Sequence, residues 1–145
     1  MQNIHHLKSI VIASAGAIGG FIVQAIGGWS EDLTTLLIFM GVDCVLGVMI
    51  AAFWKKSNKS ENGALSSYSA WKGLMRKGGS LFAVLVAHRL DISLGVDYIR
   101  TAVIIAFIVN EAISIIENLG IMGVPMPAVL TKAIDVLKNK STAEN

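Results

Sequence analysis

The chemistry-bearing side chains of this sequence sit where lipid-facing ones would be expected. The stretch Ile108-Val-Asn-Glu-Ala-Ile-Ser-Ile-Ile-Glu-Asn-Leu-Gly120 closes a strongly apolar run, yet it carries Asn110, Glu111, Ser114, Glu117 and Asn118. At about 100° per residue these five fall within an arc of about 120° on one helix face. A second acid, Asp43, is the only charge in another apolar run, Leu33 to Trp54. Carboxyl groups in such places can hold a proton, attract a cation or join helices by hydrogen bonds. Facing lipid would cost about 2.5–3.5 kcal/mol per ionised group, so the stripe faces a partner helix or water. It is either an interhelical hydrogen-bond seam or the wall of a pore or cavity, and the residues alone favour the seam.

Bond-making chemistry has no such foothold. No HExxH, paired Cys, Walker-type GxxxxGK or GxSxG pattern occurs. His5 and His6 form a terminal pair better explained by solvation than by metal, and His88 stands alone near the end of an apolar block. Neither a cofactor nor a metal is expected, and an enzyme is disfavoured. Cys44 lies mid-run and reads as a packing residue.

The elements that must position the acids follow from composition. The chain has 145 residues, 54% hydrophobic and only 15% charged, where ordinary soluble domains are nearer one quarter charged. Its mean hydropathy is +0.65. A helical span needs about 20 mostly apolar residues to cross about 30 Å of hydrocarbon. Blocks at about 10–28, 33–54 and 101–119 meet that length, and a fourth at about 78–96 does so only by passing through His88, Arg89 and Asp91. A cleaved signal peptide is the competing reading of the first block. Its leading segment carries only Lys8 and two histidines and the block is long for a signal core, so a span is expected.

Charge sets the orientation. The linker 55–77 holds Lys55, Lys56, Lys59, Lys72, Arg76 and Lys77 against one acid, Glu61, whereas the turn after the first block carries Glu31 and Asp32 and no base. Short basic loops stay cytoplasmic. Four spans put every basic segment inside and the acidic turn outside; three spans would misplace one end. The expectation is therefore an all-α integral membrane protein in a single membrane domain. It has four transmembrane helices, with three as the alternative, and both termini are cytoplasmic. A short amphipathic helix at about Ala128 to Lys138 lies in the tail 120–145 and leads to a disordered Ser-Thr-Ala-Glu-Asn end. The linker reads as a flexible loop in which Trp71 to Lys77 either forms a short basic helix on anionic headgroups or stays solvated. Nucleic acid is not an expected partner, because orientation explains so short a basic cluster.

Helix packing has its own signs. Gly16, Gly20, Gln24 and Gly28 recur every four residues in the first block, and Asp43, Gly47 and Ala51 do so in the second. Small-xxx-small ridges let helices approach closely in lipid. The partner could lie within one subunit or in another. Asp43 and Glu111 each fall at the centre of a span, so matched depth lets them meet. Two ionised carboxylates side by side in low dielectric repel, which predicts one neutral, hydrogen-bonding partner.

Arg100-Thr-Ala-Val103, Asn110-Glu-Ala-Ile-Ser-Ile115, Glu117-Asn118 and Gly123-Val-Pro-Met-Pro127 resemble the C-terminal pattern of the toxin secretion and phage lysis holin family. Asp43 with Gly47, Gly27-Gly-Trp29, and Trp71-Lys-Gly-Leu74 with Lys77 are similar to further elements of that family, so the likeness runs from about Gly27 to Lys138. It implies a small protein of the bacterial cytoplasmic membrane that oligomerises with itself and opens timed lesions. Through these an endolysin reaches the cell wall, or a large toxin leaves. The resemblance shifts the polar stripe toward a lesion-lining or subunit-contacting role. A small proton-coupled multidrug exporter is the rival, but such exporters carry their essential Glu in the first span, and here that span has no acid.

Overall fold

The computed structural model describes residues 2–54 and 67–143. They form five α-helices: α1 (Gln2–Ala25), α2 (Glu31–Met49), α3 (Ser67–Leu94), α4 (Ile99–Ile121) and α5 (Ala128–Ala143). A π-helical turn, Ile50–Trp54, prolongs α2. No strand occurs among the described residues, and the chain is an all-α membrane protein.

α2, α3 and α4 pack together because each carries an inward seam. On α2 the buried positions are Leu33, Leu36, Met40 and Asp43; on α4 they are Ile104, Glu111 and Asn118. Alternating steps of three and four, or steps of seven, keep one face toward a neighbour in the manner of a coiled coil. Leu33, Leu36, Met40, Val84 and Ile104 join Ile26 in one apolar core, flanked by Phe107 and Ile108. This core fills the half of the bundle nearest the α1–α2 turn. The other half combines a polar cluster with the buried apolar residues Ile50 and Ala51.

Two polar ties close the apolar end. α1 stops at a glycine turn in which the Gly28 amide donates to the Val23 carbonyl at 2.9 Å and that of Gly27 to Gln24 at 3.1 Å. Gly27 has the positive φ, +96°, that this helix-ending motif requires, and Gly28 is left-handed as well at +83°. Arg100 then donates to the carbonyls of Ile26 (2.6 Å) and Gly28 (2.9 Å) and to the Ser30 hydroxyl (3.1 Å), fixing the turn to the start of α4. The carboxylate of Asp91, buried at the end of α3, accepts the Ile99 and Arg100 amides at 2.9 Å each. It thereby satisfies donors that the first turn of a helix leaves open.

Among the described residues three helices are long and apolar enough to cross a membrane: Ile4–Ala25, Glu31–Phe53 and Ile99–Ile121. α3 is not among them. Its polar residues Lys77, His88 and Asp91 turn inward, while Phe82, Val86 and Leu90 present an exposed apolar stripe. Hydropathy averaged along the helix cannot separate those two faces.

The element limits also differ from the expectations. α3 begins at Ser67, so the second half of the basic linker, Trp71 to Lys77 included, belongs to one continuous helix. There the heptad packing of α3 continues past the end of the apolar block. α5 runs through Ser141-Thr-Ala143, where a disordered end is expected. Lys55, Lys56, Lys59, Glu61, Glu144 and Asn145 lie outside the described residues.

Candidate functional site

Below the apolar core, α2 brings Asp43 to the bundle axis on the same seam as Leu36 and Met40. Facing it, α4 supplies Glu111, Ser114 and Asn118. The Ser114 hydroxyl and the Asn118 amide both donate to Asp43 Oδ1, at 2.5 and 2.9 Å. Asp43 Oδ2 meets Lys77 Nζ at 2.9 Å, and the same ammonium pairs with Glu111 Oε2. The three charged side chains are nearly enclosed, with exposures of 5% for Asp43, 8% for Glu111 and 17% for Lys77. Among the described residues no buried side-chain nitrogen or oxygen lacks a partner.

Lys77 departs from the sequence reading, which groups it with the headgroup-facing bases. It turns inward and separates the two acids, so the carboxylates interact through a cation rather than through a shared proton. The physical reason is the rotation of α3. Lys77, Val84 and Asp91 recur every seven residues on the buried face, and the line from the two buried positions leads to Lys77. That spacing is the signal that could have found it.

The polar stripe of α4 divides. Ser114 and Asn118 point to Asp43 and Glu111 to Lys77, whereas Asn110 and Glu117 are exposed and line a cleft of about 490 Å³ between α3 and α4. Lys72, Arg76 and Ser80 form the α3 wall, with Asp43, Lys77 and Glu111 at the inner end. Bases therefore occupy one wall and acids the other.

The helix-packing residues are placed differently. Among the described residues no atom lies within 4 Å of where a Cβ at Gly16 or Gly20 would sit, and no residue of the apolar stretch of α1 is buried. Gln24 is exposed; Gly28 belongs to the turn. Gly47 is half-buried on α2 and likewise has no close neighbour.

This arrangement can hold charge and switch partners, but Ser114 beside Asp43 is no nucleophile. Activation of a hydroxyl needs an adjacent base such as histidine, and here the hydroxyl donates to a carboxylate already engaged by Lys77. Among the described residues no group of three or more His, Cys, Asp or Glu could hold a metal ion.

The sequence profile of the bacteriophage holin family matches residues 20–139. The chain belongs to this family. It is 35% identical over 113 residues to a probable holin of Bacillus phage phi105, covering 77% of this chain and 78% of the phage protein. A 14.9 kDa protein from the nagH 3′ region of Clostridium perfringens is 37% identical over 97% of this chain and 99% of its own length. YqxH of Bacillus subtilis is 34% identical over 78% and 76%. No solved structure matches. Membership points to a holin role and to a non-enzymatic membrane protein, and it does not favour an exporter.

Proposed function

We propose that the chain is a lesion-forming holin of the bacterial cytoplasmic membrane whose closed bundle is latched by Lys77 between Asp43 and Glu111. One observation carries the reading: an ion bridge with two further hydrogen-bond donors, buried next to the apolar core of the bundle. A buried ion pair adds little over good apolar packing, whereas removing one partner costs about 3–5 kcal/mol. Such a network specifies which helices pair and in what register, and it resists gradual deformation. When copies associate and α3 leaves α4, the same polar groups, with Asn110 and Glu117, become the lining of an aqueous opening. Its activity is physical: no bond is made or broken, and an endolysin or a large toxin passes.

On this reading α3 crosses the membrane as a fourth span, because its inward charges, Lys77 and Asp91, are satisfied inside the bundle. Both termini then lie in the cytoplasm, and Ser30 faces outward.

The test is induced expression in bacteria with a co-expressed cytoplasmic endolysin. Growth arrest and depolarisation after a delay, followed by endolysin release, are expected. Continued growth at full membrane potential, with the protein confirmed in the membrane, would refute lesion formation. Topology is read separately in a Cys44→Ser background. A cysteine at Ser30 should label from outside and one at Lys132 only after permeabilisation; labelling of both from outside removes the fourth span.

A further inference from the structure

The cleft between α3 and α4 has a second set of cations that the bridge does not use. Lys72 and Arg76 are one helical turn apart on the same face of α3, both exposed and both lining the cleft. Neither makes an ion pair among the described residues. Like charges four residues apart repel on a helix, a cost that the acids of the facing wall offset only across the cleft and that an anion seated between the two bases would relieve directly. Arginine and lysine together suit a phosphate, the first by paired donors and the second as a point charge.

Depth narrows the source of that phosphate. Lys72 lies five residues from Lys77, roughly 7.5 Å along the helix toward its start. Its flexible stem adds reach, so the ammonium can snorkel to the headgroup level while Lys77 stays at mid-depth. Aromatic residues mark the same level independently. Tyr68 and Trp71, 75% and 60% exposed, flank Lys72 on the outer surface of α3, as interfacial Tyr and Trp do.

We propose that the mouth of this cleft binds the phosphodiester of an anionic glycerophospholipid through Lys72 and Arg76, placing its headgroup over the route to Lys77. The site depends on α3 lying in the membrane, as proposed above, but not on lesion formation, so binding and lysis fail separately. Lys72 and Arg76 on the α3 wall favour a monoanionic headgroup such as phosphatidylglycerol held at the mouth, while Glu117, Glu111 and Asp43 keep its phosphate from entering deeper.

The test is native mass spectrometry of the full-length protein released from detergent with equal amounts of phosphatidylglycerol and phosphatidylcholine. Wild type should keep phosphatidylglycerol about tenfold better. Lys72→Gln with Arg76→Gln should bring the two lipids level, whereas Lys8→Gln with Lys132→Gln, which removes as much charge elsewhere, should change nothing. Lys72→Arg with Arg76→Lys keeps both charges and should retain the preference, which separates loss of the site from loss of the fold. Equal retention of the two lipids by wild type, or equal loss in both neutralised pairs, would overturn the proposal. Displacement of phosphatidylglycerol by inorganic phosphate would overturn the lipid source in favour of a soluble anion.

Discussion

Lys77 Nζ lies 2.9 Å from Asp43 Oδ2, on the axis of a bundle whose outward faces are apolar. The ammonium is shared with Glu111, so one lysine answers two carboxylates and the trio carries a formal charge of about −1. Lys77→Met leaves both acids enclosed without the ammonium they share. It should lower the stability of the detergent-solubilised protein by about 3–5 kcal/mol and shift the lysis time. Lys77→Met combined with Asp43→Leu and Glu111→Leu should recover most of that stability while leaving timing aberrant. Thermal unfolding and lysis time at matched protein levels read the two effects apart; recovery of normal timing would show that the bridge is structural only.

Ser114 and Asn118 support the Asp43 end alone. Each donates to a charged acceptor, and such bonds contribute about 1.5–3 kcal/mol. Asn118→Leu should therefore destabilise more than Ser114→Ala, because it also inserts bulk at a position only 8% exposed. Equal unfolding temperatures for the two variants would count against the geometry.

Gly27 and Gly28 test the glycine turn. Alanine at Gly28 meets nothing within 4 Å and costs only its left-handed backbone, about 1–2 kcal/mol. Alanine at Gly27 adds collisions, with its Cβ 2.7 Å from His88 Nδ1 and 2.9 Å from Arg100 Nε. The arginine is held by three acceptors and cannot swing away freely. Gly27→Ala should be clearly the worse of the pair in membrane yield and unfolding temperature.

Asp91→Ala removes the acceptor of two α4 amides, a loss of about 1–2 kcal/mol for a helix cap. The effect should be local: faster hydrogen exchange at Ile99 and Arg100, with little change at Glu111. Uniform acceleration along α4 would contradict it.

The acids and the lysine were not equally visible in the residues. Asp43 and Glu111 reveal themselves because each interrupts an apolar run at its midpoint, and counting places them at one depth. Lys77 sits at the edge of a block, where a lysine ordinarily reports only which side of the membrane holds it. Its direction depends on how α3 is rotated, and that rotation is set by tertiary packing at Val84, Ala87 and Asp91. Arg100 was conspicuous only as part of a motif, since its acceptors are carbonyls that no side-chain pattern announces. The α1 ridge was legible as a surface, but its partner was not.

Gly16 and Gly20 address that partner. Among the described residues no atom lies within 4 Å of where their Cβ atoms would sit, so Gly16→Ile with Gly20→Ile should leave the unfolding temperature of the isolated protein unchanged. If the ridge meets another copy, the same pair should weaken membrane crosslinking between subunits. Unaltered crosslinking at equal density would remove the ridge from assembly.

The isolation of α1 makes its surroundings a matter of mass action in two dimensions. Contacts among α2, α3 and α4 form at a rate indifferent to how many copies share a membrane. A helix whose apolar stretch buries no residue against the other described residues meets further protein by collision, and pairwise collisions rise with the square of surface density. Doubling the copies per unit area quadruples those encounters, so slow synthesis becomes a steep function of time through this one helix.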